Sequence, residues 1–360
     1  MTDRILTASS PVTSPGPRAK VETCAAVPTP VLISGTGACV PSRVLTNTDL
    51  TTMVDTNEEW IRSRTGIIER RLAADHETSG SMAAEAAREA IAKAGLAPAD
   101  IDLVIVATIT PDRPFPSTAC HVQTALGMRP VPAFDVEAAC SGFLYIIDIA
   151  TGMLCQGSYQ HALIIGTEKL SAITDWQDRS TCILFGDGAG AAVLSRGQPT
   201  APGEPPHGIL DTVLGADGRE GDILQMPGGG CRIPATVQSV EDRQHFLKMN
   251  GREVFKLAVR VMEKATLDLL ARNHLSVEDI ACIIPHQANI RIIEMLSARL
   301  QIPMSRFFIN LDRYGNTSAA SVPMALHEAL DEGLARPGEY AVMVGFGAGL
   351  TWGASLVRWP

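Results

Sequence analysis

The chain has 360 residues, of which 46% are hydrophobic and 19% are charged, and it carries a formal net charge of −9 at pH 7. This composition is typical of a soluble globular protein, and the length allows two domains or one large layered unit. The acidic balance argues against a nucleic-acid partner, which would need a strongly basic surface. No apolar run reaches membrane-spanning length, so we expect no membrane segment.

The first 30 residues differ from the rest of the chain. They are rich in Ser, Thr, Pro and Ala, show no hydrophobic periodicity and lack the continuous apolar core that a signal peptide needs. We therefore predict a flexible N-terminal extension over residues 1–30.

Cysteine usage indicates a reducing compartment. The eight cysteines include no C-x-x-C pair and no Cys/His spacing typical of a zinc finger. We therefore expect neither disulfides nor a structural metal, and we predict a cytoplasmic protein. The cysteines are Cys24, Cys39, Cys120, Cys140, Cys155, Cys182, Cys231 and Cys282.

From residue 31 onward, short apolar runs alternate with helical patterns, which predicts a layered α/β protein. Several runs are apolar without alternation, as is typical of strands covered on both faces. One predicted helix begins at a Ser81 cap and ends near Gly95, and a longer one runs from about Gly251 to Arg272. The predicted strands span residues 31–34, 103–107, 162–165, 182–185, 281–284 and 341–344.

Two glycine-rich runs could suggest a nucleotide site, but neither has the full pattern. Gly35 and Gly37 lack the third glycine and the acidic partner of a dinucleotide-binding fold. Gly186, Gly188 and Gly190 precede an apolar stretch, and we predict a tight turn between packed strands there.

The two halves of the chain repeat one order of elements. Each has a helix, a short loop, an apolar strand, a helical stretch, a polar motif at a chain reversal, and then another helix and strand. Cys140 and Asn316 fall at similar places in this repeat. The pattern predicts a duplicated α/β unit with its site between halves 31–200 and 207–360, separated within the Pro/Gly-rich residues 197–208.

Cys140 follows the predicted end of a strand and precedes a helical pattern. At a helix N-terminus, unpaired N–H groups and the helix dipole favour the thiolate, which is the nucleophilic form. The alternative is an inert buried cysteine, which is the common case. Two distant motifs, around His286 and Asn316, favour covalent catalysis instead. For the remaining histidines we expect surface or core roles: His121, His161, His207, His245, His274 and His327.

Seven motifs together resemble β-ketoacyl-acyl-carrier-protein synthase III, a condensing enzyme of the thiolase superfamily. The resemblance runs from about residue 31 to the C-terminus. With an asparagine beside the cysteine and the histidine, the set also resembles that of chalcone and hydroxymethylglutaryl-CoA synthases. Elongating synthases carry two histidines instead. The motifs are Gly35-Thr36-Gly37, Asn57-Glu58-Glu59-Trp60-Ile61, Ala138-Ala139-Cys140-Ser141-Gly142-Phe143, Phe185-Gly186-Asp187-Gly188-Ala189-Gly190, Pro285-His286-Gln287-Ala288-Asn289, Tyr314-Gly315-Asn316-Thr317-Ser318-Ala319-Ala320-Ser321 and Gly345-Phe346-Gly347-Ala348-Gly349-Leu350-Thr351-Trp352-Gly353.

The resemblance implies a thiolase-like fold of two duplicated halves in α-β-α-β-α layers. It implies that Cys140 takes an acyl group, most simply acetyl, from coenzyme A, and that the acyl-enzyme condenses with malonyl-acyl carrier protein and releases carbon dioxide. His286 and Asn316 would donate neutral hydrogen bonds to the enolate. The backbone N–H groups of Cys140 and Ala348 would form a second oxyanion hole, although the family pattern usually has glycine at position 348. No metal or redox cofactor is implied.

Binding residues also follow from the resemblance. Independently of the resemblance, basic residues recur every four positions at Lys248, Arg252, Lys256, Arg260 and Lys264. This spacing by itself favours an ordinary solvated helix face, but an acidic carrier protein would need such a ridge for docking, and the spacing does not decide which of these residues would contact it. Phe115, between two prolines, would close the acyl pocket of a second subunit in a homodimer. The residues implied for coenzyme A are Trp60, Arg64, Arg179 and Asn289, and those implied for the carrier protein are Gln287, Arg291 and Lys256.

Two other interpretations stay open. One is a priming or acyl-transferring relative from a secondary pathway, with a different acyl donor or acceptor. The other is an inactive partner subunit of a condensing complex, which the presence of Cys140, His286 and Asn316 disfavours. The sequence does not define the acyl chain length.

Overall fold

The computed structural model describes residues 29–199, 203–334 and 336–360. The predicted N-terminal extension therefore lies almost wholly outside the described residues. The strands are β1 (Val31–Cys39), β2 (Arg43–Thr46), β3 (Glu69–Leu72), β4 (Leu103–Ala107), β5 (Ala133–Val136), β6 (His161–Glu168), β7 (Gly188–Arg196), β8 (Gly208–Ala216), β9 (Leu224–Gln225), β10 (Lys248–Met249), β11 (Ile280–Pro285), β12 (Tyr340–Gly347) and β13 (Thr351–Arg358). The helices are α1 (Asn47–Leu50), α2 (Glu58–Thr65), α3 (Ser79–Lys93), α4 (Thr118–Ala125), α5 (Gly142–Cys155), α6 (Arg179–Cys182), α7 (Val237–Glu241), α8 (Gly251–Arg272), α9 (Ile290–Leu300), α10 (Leu311–Tyr314) and α11 (Ser321–Asp331).

Two main sheets share one topology. The first has the order β1-β7-β6-β4-β5, and the second has the order β11-β12-β13-β8. Taken from β8, the second sheet repeats the first four strands of the first, with an antiparallel, an antiparallel and then a parallel pairing in both. The predicted duplication of an α/β unit is confirmed. The division of the chain at residues 200–207 stays a prediction.

Helices and sheets alternate in five layers. Helices α3 and α4 cover the outer face of the first sheet, and α8 covers that of the second with α9 packed beside it. Helices α5 and α11 lie between the sheets and contact both. One apolar core surrounds these two central helices, and two further cores lie under the outer helices. The predicted layered arrangement is confirmed.

The two central helices begin in the same way. Each follows a single 3₁₀ turn, Ala139–Ser141 before α5 and Ser318–Ala320 before α11. The first residue of each turn has a left-handed backbone, with φ of 44° at Ala139 and 48° at Ser318. This conformation costs a non-glycine residue roughly 1–2 kcal/mol. By this match Cys140 corresponds to Ala319, and Asn316 lies three residues earlier than the sequence repeat suggests.

Most predicted elements are present, with longer ends. Five of the six predicted strands exist, and the predicted helix from Gly251 to Arg272 has those bounds. The earlier helix begins at Ser79, because Thr78 is its N-cap and Ser81 is the third helical residue, whose hydroxyl accepts from the Thr78 N–H at 2.9 Å. The prediction of a cap at Ser81 is therefore wrong by three positions.

The predicted strand at 182–185 is wrong. Asp178 accepts a hydrogen bond from the Ser180 N–H at 2.9 Å and starts the one-turn helix α6, which ends at Cys182. Phe185 makes only an isolated bridge with Asn316. The side chains of Ile183, Leu184 and Phe185 line a cavity instead of a sheet.

The predicted tight turn at Gly186, Gly188 and Gly190 is also wrong in part, because β7 begins at Gly188. A Cβ at Gly190 would lie 2.6 Å from the backbone nitrogen of Met324 in α11. A Cβ at Gly188 would lie 2.9 Å from the sulfur of the same methionine. The glycines therefore let a central helix pack directly on the strand.

Candidate active site

A cavity of about 630 Å³ lies between the two halves. Cys140, His286 and Asn316 all line it. Cys140 lies in the turn before α5, His286 follows the end of β11, and Asn316 precedes the turn before α11. Along the sequence, Cys140 and His286 are 146 positions apart (286 − 140), and His286 and Asn316 are 30 positions apart (316 − 286). The fold thus brings together the three side chains that the sequence motifs single out.

Cys140 is held by a tight contact between two turns. A Cβ at Gly347 would lie 2.6 Å from the Cys140 nitrogen, so only glycine fits at the end of β12. Next to the cysteine, the Ser141 hydroxyl lies 2.7 Å from the Thr351 hydroxyl, which itself donates to the Ala348 carbonyl at 3.0 Å. These bonds fix the β12–β13 turn against the start of α5.

Burial controls the protonation of Cys140. The side chain is 8% exposed. Burial raises the pKa of its thiol to about 12, and the Glu168 carboxylate adds to the rise, whereas the Ser318 hydroxyl and the cysteine's own N–H lower it. The position at a helix N-terminus predicts a thiolate. Desolvation opposes that effect, and the resting group at neutral pH is a thiol.

His286 is a neutral donor. Burial lowers its pKa to about 3, so the ring is uncharged at neutral pH. Its Nδ1 lies 2.6 Å from the Ser321 hydroxyl, which also accepts from the Gln287 N–H at 3.4 Å. Because the Gln287 group is a donor, we assign the hydroxyl hydrogen to the bond with Nδ1. The ring proton then sits on Nε2.

Asn316 is oriented by its own turn. Its Oδ1 accepts from the Ser318 N–H at 2.8 Å, and its backbone N–H donates to Leu184 at 2.8 Å. Within the described residues its Nδ2 makes no hydrogen bond, and the residue lines the cavity. The amide hydrogens are therefore available for a substrate oxygen.

Ala348 lines the same cavity from the β12–β13 turn. It is absent from the described non-glycine residues that have positive φ. Alanine therefore fits at this position without backbone strain, and the departure from the family's usual glycine leaves the N–H group in place.

Of the four residues implied for coenzyme A, two line the cavity and the other two stack on each other. Arg64 and Asn289 line it, and the Asn289 Nδ2 donates to the Arg64 carbonyl at 3.1 Å. Nearby, the guanidinium of Arg179 stacks 4.7 Å from the ring centre of Trp60 and donates to the Asp55 carbonyl at 2.8 Å. An adenine between the two would need a gap of about 7 Å, so Arg179 must swing outward to admit one.

Gln287 does not belong to a docking surface. It is 1% exposed, its Nε2 donates to the carbonyls of Pro285 and Phe308, and its Oε1 accepts from the Asn310 N–H. The side chain anchors the His286 loop inside the protein. The prediction that Gln287 contacts a carrier protein is therefore wrong.

The other predicted docking residues are exposed. Arg291 follows the Asn289 cap of α9, in a surface groove that three glutamates share. Lys256 lies on α8, one residue after the cavity-lining Phe255, and pairs with Glu253 at 2.9 Å. The basic ridge on α8 comprises Arg252, Lys256, Arg260 and Lys264, because Lys248 lies in β10 and faces Asp175.

Phe115 is 83% exposed, an unusual state for a large aromatic side chain. It lies in the loop between β4 and α4, outside the cavity lining.

Several site residues received no role from the sequence. Ser321 and Thr351 belong to two of the seven sequence motifs, but the motifs do not indicate their hydrogen bonds to His286 and Ser141. Glu168, at the end of β6, was missed altogether, although a charged residue that closes a continuous apolar strand is a detectable signal.

Within the part of the chain that the structure describes, no group of three His, Cys, Asp or Glu side chains is placed to hold a metal ion. Seven cysteines there are free thiols. In the same residues, no helix combines the length and the apolar character needed to cross a membrane.

Known proteins match this chain along most of its length. Two family models match, 3-oxoacyl-[acyl-carrier-protein] synthase III over residues 134–218 and its C-terminal model over residues 270–359. A β-ketoacyl-[acyl-carrier-protein] synthase III from Symbiobacterium thermophilum is 54% identical over 330 residues, which are 92% of this chain and 98% of the relative. The crystal structure of the Aquifex aeolicus 3-oxoacyl-[acyl-carrier-protein] synthase III is 46% identical, with a TM-score of 0.83 and coverage of 92% and 100%. The priming β-ketosynthase of the R1128 polyketide pathway is 36% identical, with a TM-score of 0.83 and coverage of 93% and 98%.

Five alternating layers, with a cysteine at the start of a central helix, define an acyltransferase of the thiolase fold. The relatives, which are about 50% identical over about nine-tenths of the sequence, identify the family within this class. The chain belongs to the β-ketoacyl-acyl-carrier-protein synthase III family.

Proposed function

We propose that this enzyme initiates fatty acid synthesis by decarboxylative Claisen condensation of an acyl-CoA, most simply acetyl-CoA, with malonyl-acyl carrier protein. The observation that carries the proposal is that a cysteine, a neutral histidine and an asparagine line one cavity. The family membership supports the same reaction.

In the first half-reaction the Cys140 sulfur attacks the thioester carbonyl of acyl-CoA, and coenzyme A leaves. The developing oxyanion would accept hydrogen bonds from the backbone N–H groups of Cys140 and Ala348. Backbone donors cost no reorganisation, because the contact at Gly347 already fixes both turns.

In the second half-reaction malonyl-acyl carrier protein loses carbon dioxide, and its enolate attacks the acyl group on Cys140. The enolate oxygen would accept hydrogen bonds from His286 Nε2 and Asn316 Nδ2. Two uncharged donors suit this step, because they stabilise a developing negative charge without binding the ground-state carboxylate strongly. The lowered pKa of His286 keeps the ring in this neutral form.

A second candidate is a priming ketosynthase of a secondary pathway, and the similarity to the R1128 enzyme favours it. The cavity supports it too, because apolar side chains line much of its wall, including Leu224, Met226 and Leu247. A panel of acyl-CoA donors of increasing length separates the two functions, since an acetyl-specific profile supports the first and a preference for longer donors the second.

We predict that Cys140→Ser abolishes acyl-enzyme formation with acetyl-CoA, because serine has no ionisable thiol. Intact-protein and peptide mass spectrometry measure the adduct. Cys155→Ser is the matched control, since Cys155 is an exposed free thiol, and it should acylate like the wild type. An acetyl adduct on another cysteine, with Cys140 unmodified, would contradict the assignment.

Surface variants should change the KM for one substrate without changing the KM for the other. We propose that Arg179 and Trp60 bind the adenine of coenzyme A, with Arg64 and Asn289 at the pantetheine entrance, and that Lys256 and Arg291 contact the carrier protein. Arg179→Ala should raise the KM for acetyl-CoA about 2- to 5-fold. Lys256→Glu should raise the KM for malonyl-acyl carrier protein, with an effect that shrinks at high salt.

Each variant serves as the control for the other, because each should leave the second KM unchanged. Lys264→Glu is a further control on the same helix. It is exposed and ion-paired like Lys256, but it lies about 12 Å farther along α8 from the cavity-lining Phe255. Equal losses for Lys256→Glu and Lys264→Glu would remove Lys256 from the docking surface.

We propose a homodimer in which Phe115 of one subunit is covered by the other subunit and closes the acyl pocket of that subunit, because its 83% exposed aromatic ring is available for such a contact. Phe115→Ala should relax acyl-chain selection and Phe115→Trp should narrow it, while both variants stay dimeric. Sedimentation and the acyl-CoA panel are the measurements. An active wild-type monomer, or an unchanged profile in Phe115→Ala, would refute the proposal.

A further inference from the structure

His286 and Asn316 can stabilise one enolate oxygen only if their side chains keep a fixed separation. His286 follows β11, whereas Asn316 lies between α10 and the turn before α11, so the two side chains stand on separate loops. Misplacement of such a group is costly, because a shift of about 1 Å can slow a reaction about 10²-fold. A contact that ties the two loops together would therefore matter for the rate.

Glu328 makes such a contact from α11. Its side chain is 21% exposed, and each of its carboxylate oxygens accepts two hydrogen bonds. Oε2 accepts from Asn310 Nδ2 at 2.9 Å and from Arg313 Nη2 at 2.8 Å. Oε1 accepts from the Tyr314 hydroxyl at 2.6 Å and from Arg313 Nη1 at 3.2 Å. A carboxylate has enough acceptor sites for all four donors, which an amide of the same size does not have on both atoms.

Asn310 connects this carboxylate to the histidine loop. Its side chain donates to Glu328, and its backbone N–H donates to Gln287 Oε1 at 3.1 Å. The Gln287 Nε2 in turn donates to the Pro285 carbonyl at 2.8 Å. Asn310 and Gln287 are 2% and 1% exposed, so water has little access to these bonds. The residues on both sides of His286 are thus held by a network that ends at Glu328.

Arg313 and Tyr314 connect the same carboxylate to the asparagine turn. They form the end of α10, and Gly315 follows with φ of 65° and ψ of −157°. A Cβ at Gly315 would lie 2.7 Å from the Leu184 carbonyl oxygen, which also accepts from the Asn316 N–H at 2.8 Å. Because this contact leaves little room, a shift of α10 would be passed directly to Asn316.

We propose that Glu328 is a positioning residue that sets the spacing of His286 and Asn316 for decarboxylation. The proposal rests on the proposed function, in which these two side chains stabilise the enolate. Glu328 is not among the residues that line the cavity, so it acts through the two loops and not on the substrate. The acylation oxyanion hole is held separately, because Gly347 and Thr351 fix the turns of its backbone donors.

Glu328→Gln tests this role, because it keeps the side-chain size but turns one acceptor oxygen into an NH2 group that faces two donors. The kcat for carbon dioxide release from malonyl-acyl carrier protein should fall about 10- to 100-fold. The KM for that substrate should not change, since Glu328 lies outside the cavity lining. The rate at which acetyl-CoA acylates Cys140, followed by quenched-flow mass spectrometry, should stay within about 2-fold of the wild type.

Asp331→Asn is the matched control on the same helix. Asp331 lies three residues beyond Glu328, its side chain is 55% exposed, and it is bonded to Lys93 at 2.7 Å. This variant should leave both half-reactions unchanged. Tyr314→Phe is a second test, because it removes a single donor from the Glu328 carboxylate. It should lower the rate of decarboxylation by a smaller factor and leave acylation unchanged.

Thermal melting followed by circular dichroism establishes that each variant is folded, and Tyr314→Phe decides the question if Glu328→Gln does not fold. Equal losses in both half-reactions would show a general structural role and would overturn the proposal. Normal decarboxylation in Glu328→Gln, or in Tyr314→Phe where that variant decides, would also overturn it. A wild-type protein that forms no acyl-enzyme or releases no carbon dioxide would instead refute the proposed function, so the two failures are distinguishable.

Discussion

The active site depends on the close approach of two turns at the centre of the molecule. A Cβ at Gly347 would lie 2.6 Å from the Cys140 nitrogen, so any side chain at this position would push the β12–β13 turn away from the start of α5. That contact sets the spacing between the sulfur and the neighbouring backbone N–H groups. The glycines of β7 have the same effect at a distance, because they seat α11 against the first sheet and so fix the Asn316 turn.

Burial at this junction determines the chemistry of each group. It raises the pKa of the Cys140 thiol and of Glu168, and it lowers the pKa of His286. Cys140 and His286 are therefore neutral at physiological pH, and Glu168 is partly protonated. A neutral site accepts an uncharged thioester without losing a charge–charge interaction, and it reserves its hydrogen bonds for the two oxyanions that form during the reaction.

The sequence predicted the fold and the three cavity residues well, because their signals are local. Apolar runs covered on both faces identified β4, β6, β11 and β12, and the regular stripe of α8 identified that helix with its bounds. The repeat of element order predicted the duplication, since both halves use one topology.

The failures come from tertiary contacts. The apolar run at 182–185 became a cavity wall because a capping aspartate starts a helix just before it. The glycines at 188 and 190 serve helix packing, which no turn pattern reveals. Glutamine is usually a surface residue, but the side-chain amide of Gln287 is hydrogen-bonded to three backbone groups. The protonation states of Cys140 and Glu168 depend on desolvation, and the sequence does not report burial depth.

The central claim is that one cavity supports two half-reactions with different hydrogen-bond donors. Its most direct measurement compares acyl-enzyme formation, by mass spectrometry, with carbon dioxide release from malonyl-acyl carrier protein in His286→Ala and Asn316→Ala. The account predicts that acylation of Cys140 survives in part, because backbone groups hold that oxyanion, and that decarboxylation falls by about 10²-fold or more in each variant. Normal decarboxylation in both variants would contradict it.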